Sequence, residues 1–312
     1  MTNPRVRVER AVPAEHAERG VPVLIGADEM AQIDEAAQRL GLSEDALMES
    51  AGAAVAEVAQ AELGRMAERV RGPAGPLVRP PLVVVLCGPG NNGGDGFVVA
   101  RRLAATGRTV LAILVADASK LSGRAAGHNW NVLQAMASAG SLELFVAPSP
   151  ELLLRLRERI AEATLVIDAL LGSGASGPLR EPISTAVDLV NATRTHATAA
   201  GRPCAVLAVD TPTRVDLTGG ARSTPVVTAD LTVTFHRGKA GFAFDREARR
   251  LAGRYLVAPI GIPLEAEEDI VPPDGEFPPG RITEVNWQEP VERADAAHRP
   301  GGGIAAGPGR TD

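Results

Sequence analysis

The chain changes its hydrophobic rhythm several times. Residues before 23 are charged and aperiodic, which predicts a flexible N-terminal segment over 1–22. From Gly26 to about Gly64 the apolar residues recur at helical spacing. Met30, Ile33, Ala37 and Leu40 share one face, and Asp28 and Ser43 are the expected N-caps of two helices. A breaker-rich stretch, GPAGPLVRPP over 72–81, then interrupts the pattern. Beyond it, Leu82–Leu86, Thr109–Val115, Thr164–Ile167 and Ala205–Val209 are continuous runs of β-branched residues, leucine and alanine, as expected of strands buried on both faces. Leu142–Val146, Leu231–Phe235 and Tyr255–Val257 complete the strands. Helical stretches near 94–105, 122–139, 151–163 and 181–199 separate them. Such alternation predicts βαβ units, an α/β fold and a mostly parallel central sheet covered on both sides. The folded domain is expected over 23–264. The Pro-, Gly- and acid-rich residues 265–312 are expected to be a disordered tail.

Composition narrows the function. Of 312 residues 45% are hydrophobic, enough for a sizeable core, and the net charge of −6 argues against nucleic acid as a partner. No apolar run reaches the ~18 residues of a membrane span, and the N-terminus has no apolar secretory core, so a cytoplasmic protein without a membrane partner is expected. Two cysteines, Cys87 and Cys204, sit in apolar runs and read as buried thiols. Among the 32 basic residues only Lys120 and Lys239 are lysines. Arginine does not readily give up its proton, so proton chemistry falls mostly to carboxylates, the five histidines or those two lysines.

Three loops at strand C-terminal ends, where open α/β sheets bind ligands, carry unusual residues. The first, Cys87–Gly96, satisfies G-x-G-x-x-G at Gly88, Gly90 and Gly93, and its glycines let backbone N–H groups approach a phosphate at a helix start. Asn91, Asn92 and Asp95 are atypical of a plain pyrophosphate turn; their oxygens suit a ribose or a cation. The alternative is a tight strand-to-helix turn. The second loop begins at Asp168 and runs through glycines to Pro178. The third begins at Asp210 and reads Thr211-Pro212-Thr213-Arg214. An acid ending a buried strand needs a partner, a cation or a catalytic task. Asp168 and Asp210 are expected to face one crevice with Asp95 nearby. Each alone also reads as a loop-bracing carboxylate. Lys239, in VTFHRGKAG, is balanced between an anion contact and a solvated loop lysine.

In order and spacing, GPGNNGGDGFVVARRLAATG, VIDALLGSGASGPLREP, AVDTP and APIGIP resemble the NAD(P)H-hydrate epimerase family, the YjeF N-terminal domain. The segment ADEMAQIDEAAQRLGLSEDALMESAG resembles its two N-terminal helices. The resemblance implies a Rossmann-like three-layer αβα sandwich, usually a homodimer. It implies epimerisation of hydrated NADH and NADPH (NADHX and NADPHX) at C6, in concert with a dehydratase that would here be a separate protein. It places the substrate on Asn91, Asn92, Gly93, Gly94 and Asp95, on Gly172, Ser173, Gly174, Ala175, Ser176, Gly177 and Pro178, and on Asp210. It makes Asn92, Asp168 and Thr213 the ligands of a potassium ion (K+). Asp210 is the expected acid/base residue, with Asp168 mainly on the metal. The sequence departs from the family at Ser50, Arg214 and Pro259. Arg214, in place of a glycine, sets a cation beside the ion site, where it either displaces K+ or turns outward. A non-catalytic ligand-sensing or protein-binding relative is the alternative. An ordinary dehydrogenase would need a hydride acceptor site and usually a catalytic His, Lys or Tyr, none of which is clearly placed in this sequence.

Overall fold

The computed structural model describes residues 24–70, 80–175, 177–215, 224–271, 277–285 and 287. The expected N-terminal segment and most of the residues after 285 lie outside the described residues. Helices α1 (Ala27–Arg39) and α2 (Glu44–Val70) precede β1 (Leu82–Cys87), α3 (Asn91–Ala105), β2 (Thr109–Leu114), α4 (Arg124–Ser138) and β3 (Glu143–Val146). The second half runs α5 (Pro150–Arg155), α6 (Arg157–Ala161), β4 (Leu165–Ala169), α7 (Ile183–Ala199), β5 (Ala205–Val209), β6 (Leu231–Phe235), α8 (Gly241–Phe244), α9 (Arg246–Ala252), β7 (Arg254–Ala258) and β8 (Thr283–Glu284). Strand order across the sheet is β3-β2-β1-β4-β5-β6-β7-β8, parallel throughout except for β8. The order from β3 to β6 is that of a Rossmann sheet, with the topological switch point between β1 and β4.

Strand alternation explains why the runs are continuously apolar. On β1, Val83, Val85 and Cys87 join the cluster that packs under α1–α4, with Ile33, Ala51, Phe97 and Leu133. Leu82, Val84 and Leu86 join the opposite cluster under α5–α7, with Leu153, Ile160 and Val187. Each such side chain contributes roughly 1.5–3 kcal/mol on burial, so neither face tolerates a polar residue without a partner. Three layers result, as expected.

Several boundaries differ from the sequence reading. Gly26, not Asp28, precedes the first helical residue of α1, and its N–H is held by the Glu29 carboxylate at 2.7 Å. Ser43 does cap α2, its hydroxyl accepting from the Ala46 N–H at 3.2 Å. The helix expected over 151–163 is two short ones meeting at Leu156. Helices α8 and α9 were not anticipated, because four and seven residues are too few to show a period. Cys87 is buried and Cys204 only half-buried.

Order also extends past residue 264, where a disordered tail was expected. A 3-10 turn at Leu264–Glu267 buries Ala266 and Glu267, β8 pairs with β7, and Trp287 stacks on Tyr255 with ring centroids 5.8 Å apart. Composition hid this, because a charged residue, Glu267, anchors the segment rather than an apolar stripe.

Candidate active site

Helix α3 begins at Asn91, since the Gly94 N–H already donates to the Gly90 carbonyl at 3.0 Å. The two asparagines therefore open the helix rather than hang in a loop, and the first-turn N–H groups face the switch point. Glycines are required here. A Cβ on Gly93 would lie 1.8 Å from the Gly88 carbonyl oxygen.

The loop after β4 faces this helix start. A Cβ on Gly172 would stand 3.0 Å from Asp210 Oδ2 and 3.3 Å from Asn92 Oδ1, so Asn92, Gly172 and Asp210 enclose one small space. The Ser173 N–H donates to Asp210 Oδ2 at 2.7 Å. Gly174, Ala175, Gly177 and Pro178 continue outward as an exposed roof. Ser176 lies outside the described residues.

Asp210 sits where β5 ends, in the left-handed region at φ 64°. That turn aims its carboxylate at donors from three elements: Ser173, the Thr234 hydroxyl at 3.0 Å, and the Lys239 ammonium at 3.5 Å. Burial alone would raise its pKa. The Lys239 charge and the Ser173 and Thr234 hydrogen bonds outweigh burial and hold Asp210 below the usual carboxylate range. Asp95 goes the other way: burial, then the charges of Asp210 and Asp34, push it well above that range. Asp34 on α1 is raised to about 6 by burial, with Lys239 opposing and Asp210 adding. The crevice thus sets Asp210, whose ionised form is favoured, beside Asp95, whose protonated form is favoured, with Asp34 titrating between them.

Asp34 and Lys239 are the residues that sequence reasoning missed or left undecided. Asp34 follows the buried Ile33 on an amphipathic helix and reads as solvated. Lys239 carried one signal, its rarity.

The position of Asp168 differs from expectation. It is fully buried, and its carboxylate accepts from the Thr213 N–H and hydroxyl, both at 2.7 Å, and from the Leu170 N–H at 3.2 Å. Burial raises it to about 6 against those three bonds. The carboxylates whose charges act on one another are Asp34, Asp95 and Asp210, with Asp168 set deeper in a Thr213 pocket.

The expected ion ligands fit a hard monovalent cation in chemistry. Asn92, Asp168 and Thr213 offer oxygens only. The Asn92 amide oxygen, the atom that can ligate a cation, faces the crevice beside Gly172, while its buried nitrogen, without a partner among the described residues, calls for an acceptor. The Thr213 hydroxyl donates to Asp168 and accepts from the Leu171 N–H at 3.1 Å, leaving a lone pair. Among the described residues no group of three or more His, Cys, Asp or Glu is arranged to hold a metal, which leaves a transition-metal site without support. Arg214 holds φ 73°, and its guanidinium turns to the Gly177 carbonyl on the roof rather than to Asp168. A groove of about 850 Å³ opens elsewhere, lined by Ser50, Gln60, Arg101, Arg102 and Pro259 and by none of these carboxylates.

This is an α/β protein with the doubly wound parallel sheet of dinucleotide-binding folds and a carboxylate-lined crevice at its switch point. The chain belongs to the YjeF_N family: the family model described as YjeF-related protein N-terminus matches residues 44–241. It is 32% identical to an NAD(P)H-hydrate epimerase of Cenarchaeum symbiosum, over 79% of this chain and 99% of that protein. It is 37% identical to a bifunctional NAD(P)H-hydrate repair enzyme Nnr of Pyrobaculum aerophilum, over 79% of this chain and 43% of that protein, so it spans less than half of the bifunctional relative. The crystal structure of yeast ynu0, YNL200c, shares the fold, with a TM-score of 0.62 at 23% identity, over 84% of this chain and 99% of that one. Among the described residues no helix is long and apolar enough to cross a membrane.

Proposed function

We propose that this chain is an isomerase that interconverts the R and S forms of NADHX and NADPHX at C6. The observation that carries the reading is the enclosure of Asp210 with Asn92 and Gly172 at the start of α3; there Asp210 is held below the usual carboxylate range and Asp95 is pushed above it. Carboxylates pushed apart in this way take acid and base roles. The C6 hydroxyl stands on a carbon bonded to the ring nitrogen. Asp95 gives its proton to that hydroxyl, water leaves, and the nitrogen lone pair stabilises the resulting cation. Water adds to the other face and loses a proton to Asp210. The proton then returns to Asp95, and the opposite direction uses the same steps in reverse. This divides between two residues the role first expected of Asp210 alone.

The rest of the site binds. The N–H groups at the start of α3 receive the anionic diphosphate, and the roof from Gly172 to Pro178 covers the nicotinamide end. Asn92, Asp168 and Thr213 would hold potassium. When bound, the ion supplies fixed positive charge that orients substrate oxygens. The contact of Arg214 with the Gly177 carbonyl supports the potassium reading over a non-catalytic relative. The reading carries a homodimer, a cytoplasmic address and an NAD(P)H-hydrate dehydratase acting in the same pathway.

The test follows the R/S ratio of NADHX by chromatography in potassium buffer. Wild-type protein is expected to speed the approach to equilibrium over a protein-free control, and Asp210→Asn to be slower by about 10²-fold or more. A wild-type ratio that tracks the control overturns the reading.

A further inference from the structure

Lys239 is 2% exposed, and burying an ammonium costs several kcal/mol unless its charge and protons are matched. The three acceptors it meets are the Phe235 carbonyl at 3.3 Å, the Arg237 carbonyl at 3.5 Å and Asp210 Oδ1 at 3.5 Å. Among the described residues Asp210 is the one carboxylate within ion-pair distance. We propose that Lys239 is a positioning residue for the epimerisation, its buried ammonium pinning the Asp210 carboxylate at the crevice. This inference rests on the functional reading above.

The surrounding backbone is built to deliver that ammonium. Strand β6 ends at Phe235, and His236 turns back in the left-handed region at φ 64°, so that residue 239 returns above the carbonyl of 235. Glu267 locks the turn by pairing with both His236, at 2.7 Å, and Arg237. The Lys239 N–H donates to the Tyr255 hydroxyl at 3.0 Å. Ile25, just before α1, bonds to both sides of the lysine: its N–H donates to Gly238 at 2.9 Å, and its carbonyl accepts from Ala240 at 2.9 Å. Three elements therefore hold one loop, and β6 itself supplies the second donor to Asp210 Oδ1, Thr234. Of the three donors to Asp210, only Lys239 carries charge. The other titratable groups facing this pair are Asp34 from α1, Asp95 from α3, Tyr255 from β7, and His236 and Arg237 on the same loop.

The experiment compares wild type, Lys239→Met and Lys239→Arg in the NADHX assay between pH 3 and 9, with thermal melts of each at every pH used. Lys239→Met is expected to lower kcat about 10²-fold while KM changes little, as for a displaced catalytic group. The acidic limb of its pH–rate profile should move to higher pH, because Asp210 loses its counter-charge. Lys239→Arg should keep the limb in place. A Lys239→Met protein with wild-type kcat, or with reduced kcat and an unmoved limb, overturns the inference. If Lys239→Met does not fold, Lys239→Arg decides alone: a wild-type limb supports the inference and a displaced one overturns it. A wild type that leaves the R/S ratio at the control value instead fells the epimerase reading, and this role with it.

Discussion

The Gly88 Cα lies so close to Leu170 that a Cβ there would stand 1.9 Å from the Leu170 carbonyl oxygen. The loops leaving β1 and β4 are thus backed onto each other, and the switch-point crevice exists because neither carries a side chain between them. Gly88→Ala must force two backbones apart. It is expected to cost about 3 kcal/mol or more, beyond ordinary overpacking, in urea denaturation. Gly172→Ala meets side-chain atoms only, at 3.0 Å and beyond, and those atoms belong to Asp210 and Asn92. It should melt near wild type yet lose most epimerase activity, because the methyl occupies the space between the two functional groups. Equal losses of stability in both variants would refute this division.

These glycines were legible in the sequence as a pattern, but their separate duties were not, because spacing says nothing of what lies across a turn. The core strands were legible for a simple reason. Residues Leu82–Cys87 are buried on both faces, so burial writes itself as an unbroken apolar run. Asp210 and Asp95 announced themselves as acids at strand ends or in a glycine turn. Their pairing with Asp34 did not, because a helix's polar face looks the same whether it meets water or a crevice. Lys239 is the sharper case: its partner is fixed by the left-handed turn at His236, which no residue type there advertises.

The segment around Glu267 shows the same limit, and it can be tested. Glu267 is 4% exposed and pairs with His236 and Arg237, both 2% exposed. Burial would raise its pKa, but the Arg237 hydrogen bond and charge, then His236, hold it below the usual range. Glu267→Gln keeps the shape and removes the charge that His236 and Arg237 share. A loss of about 3 kcal/mol is expected in denaturant titration, the scale of a broken buried pair. Truncation after Pro263 should cost at least as much. A truncated chain as stable as the full one would mean that the residues past 264 contribute nothing.

Arg214 adopts φ 73°, which costs an L-residue about 1–2 kcal/mol in the left-handed region. Arg214→Gly relieves that strain and loses an exposed bond to the Gly177 carbonyl. A net gain of about 0.5–1 kcal/mol is expected in thermal denaturation. Because the guanidinium already bonds the Gly177 carbonyl, the potassium dependence of activity should be unchanged. A variant that acquires potassium dependence absent from wild type would show instead that Arg214 fills the ion position.

Asp34 links the crevice to pH. Burial, opposed by Lys239 and aided by Asp210, raises its pKa from 3.8 to about 6. Between those values the folded chain holds a proton that the unfolded chain has released, so this group's contribution to stability falls as pH rises through the window. The loss reaches about 3 kcal/mol above pH 6 at most, since Asp34 is only half-buried. Asp34→Asn cannot ionise. Its stability relative to wild type should therefore climb between pH 4 and pH 6 and level off at higher pH, read by denaturant melts at pH 4.5, 6 and 7.5. A difference that stays flat across the three would mean that Asp34 titrates as an ordinary surface acid. A climbing difference would mean that the ammonium of Lys239 is committed to Asp210 and does not hold Asp34 in its ionised form.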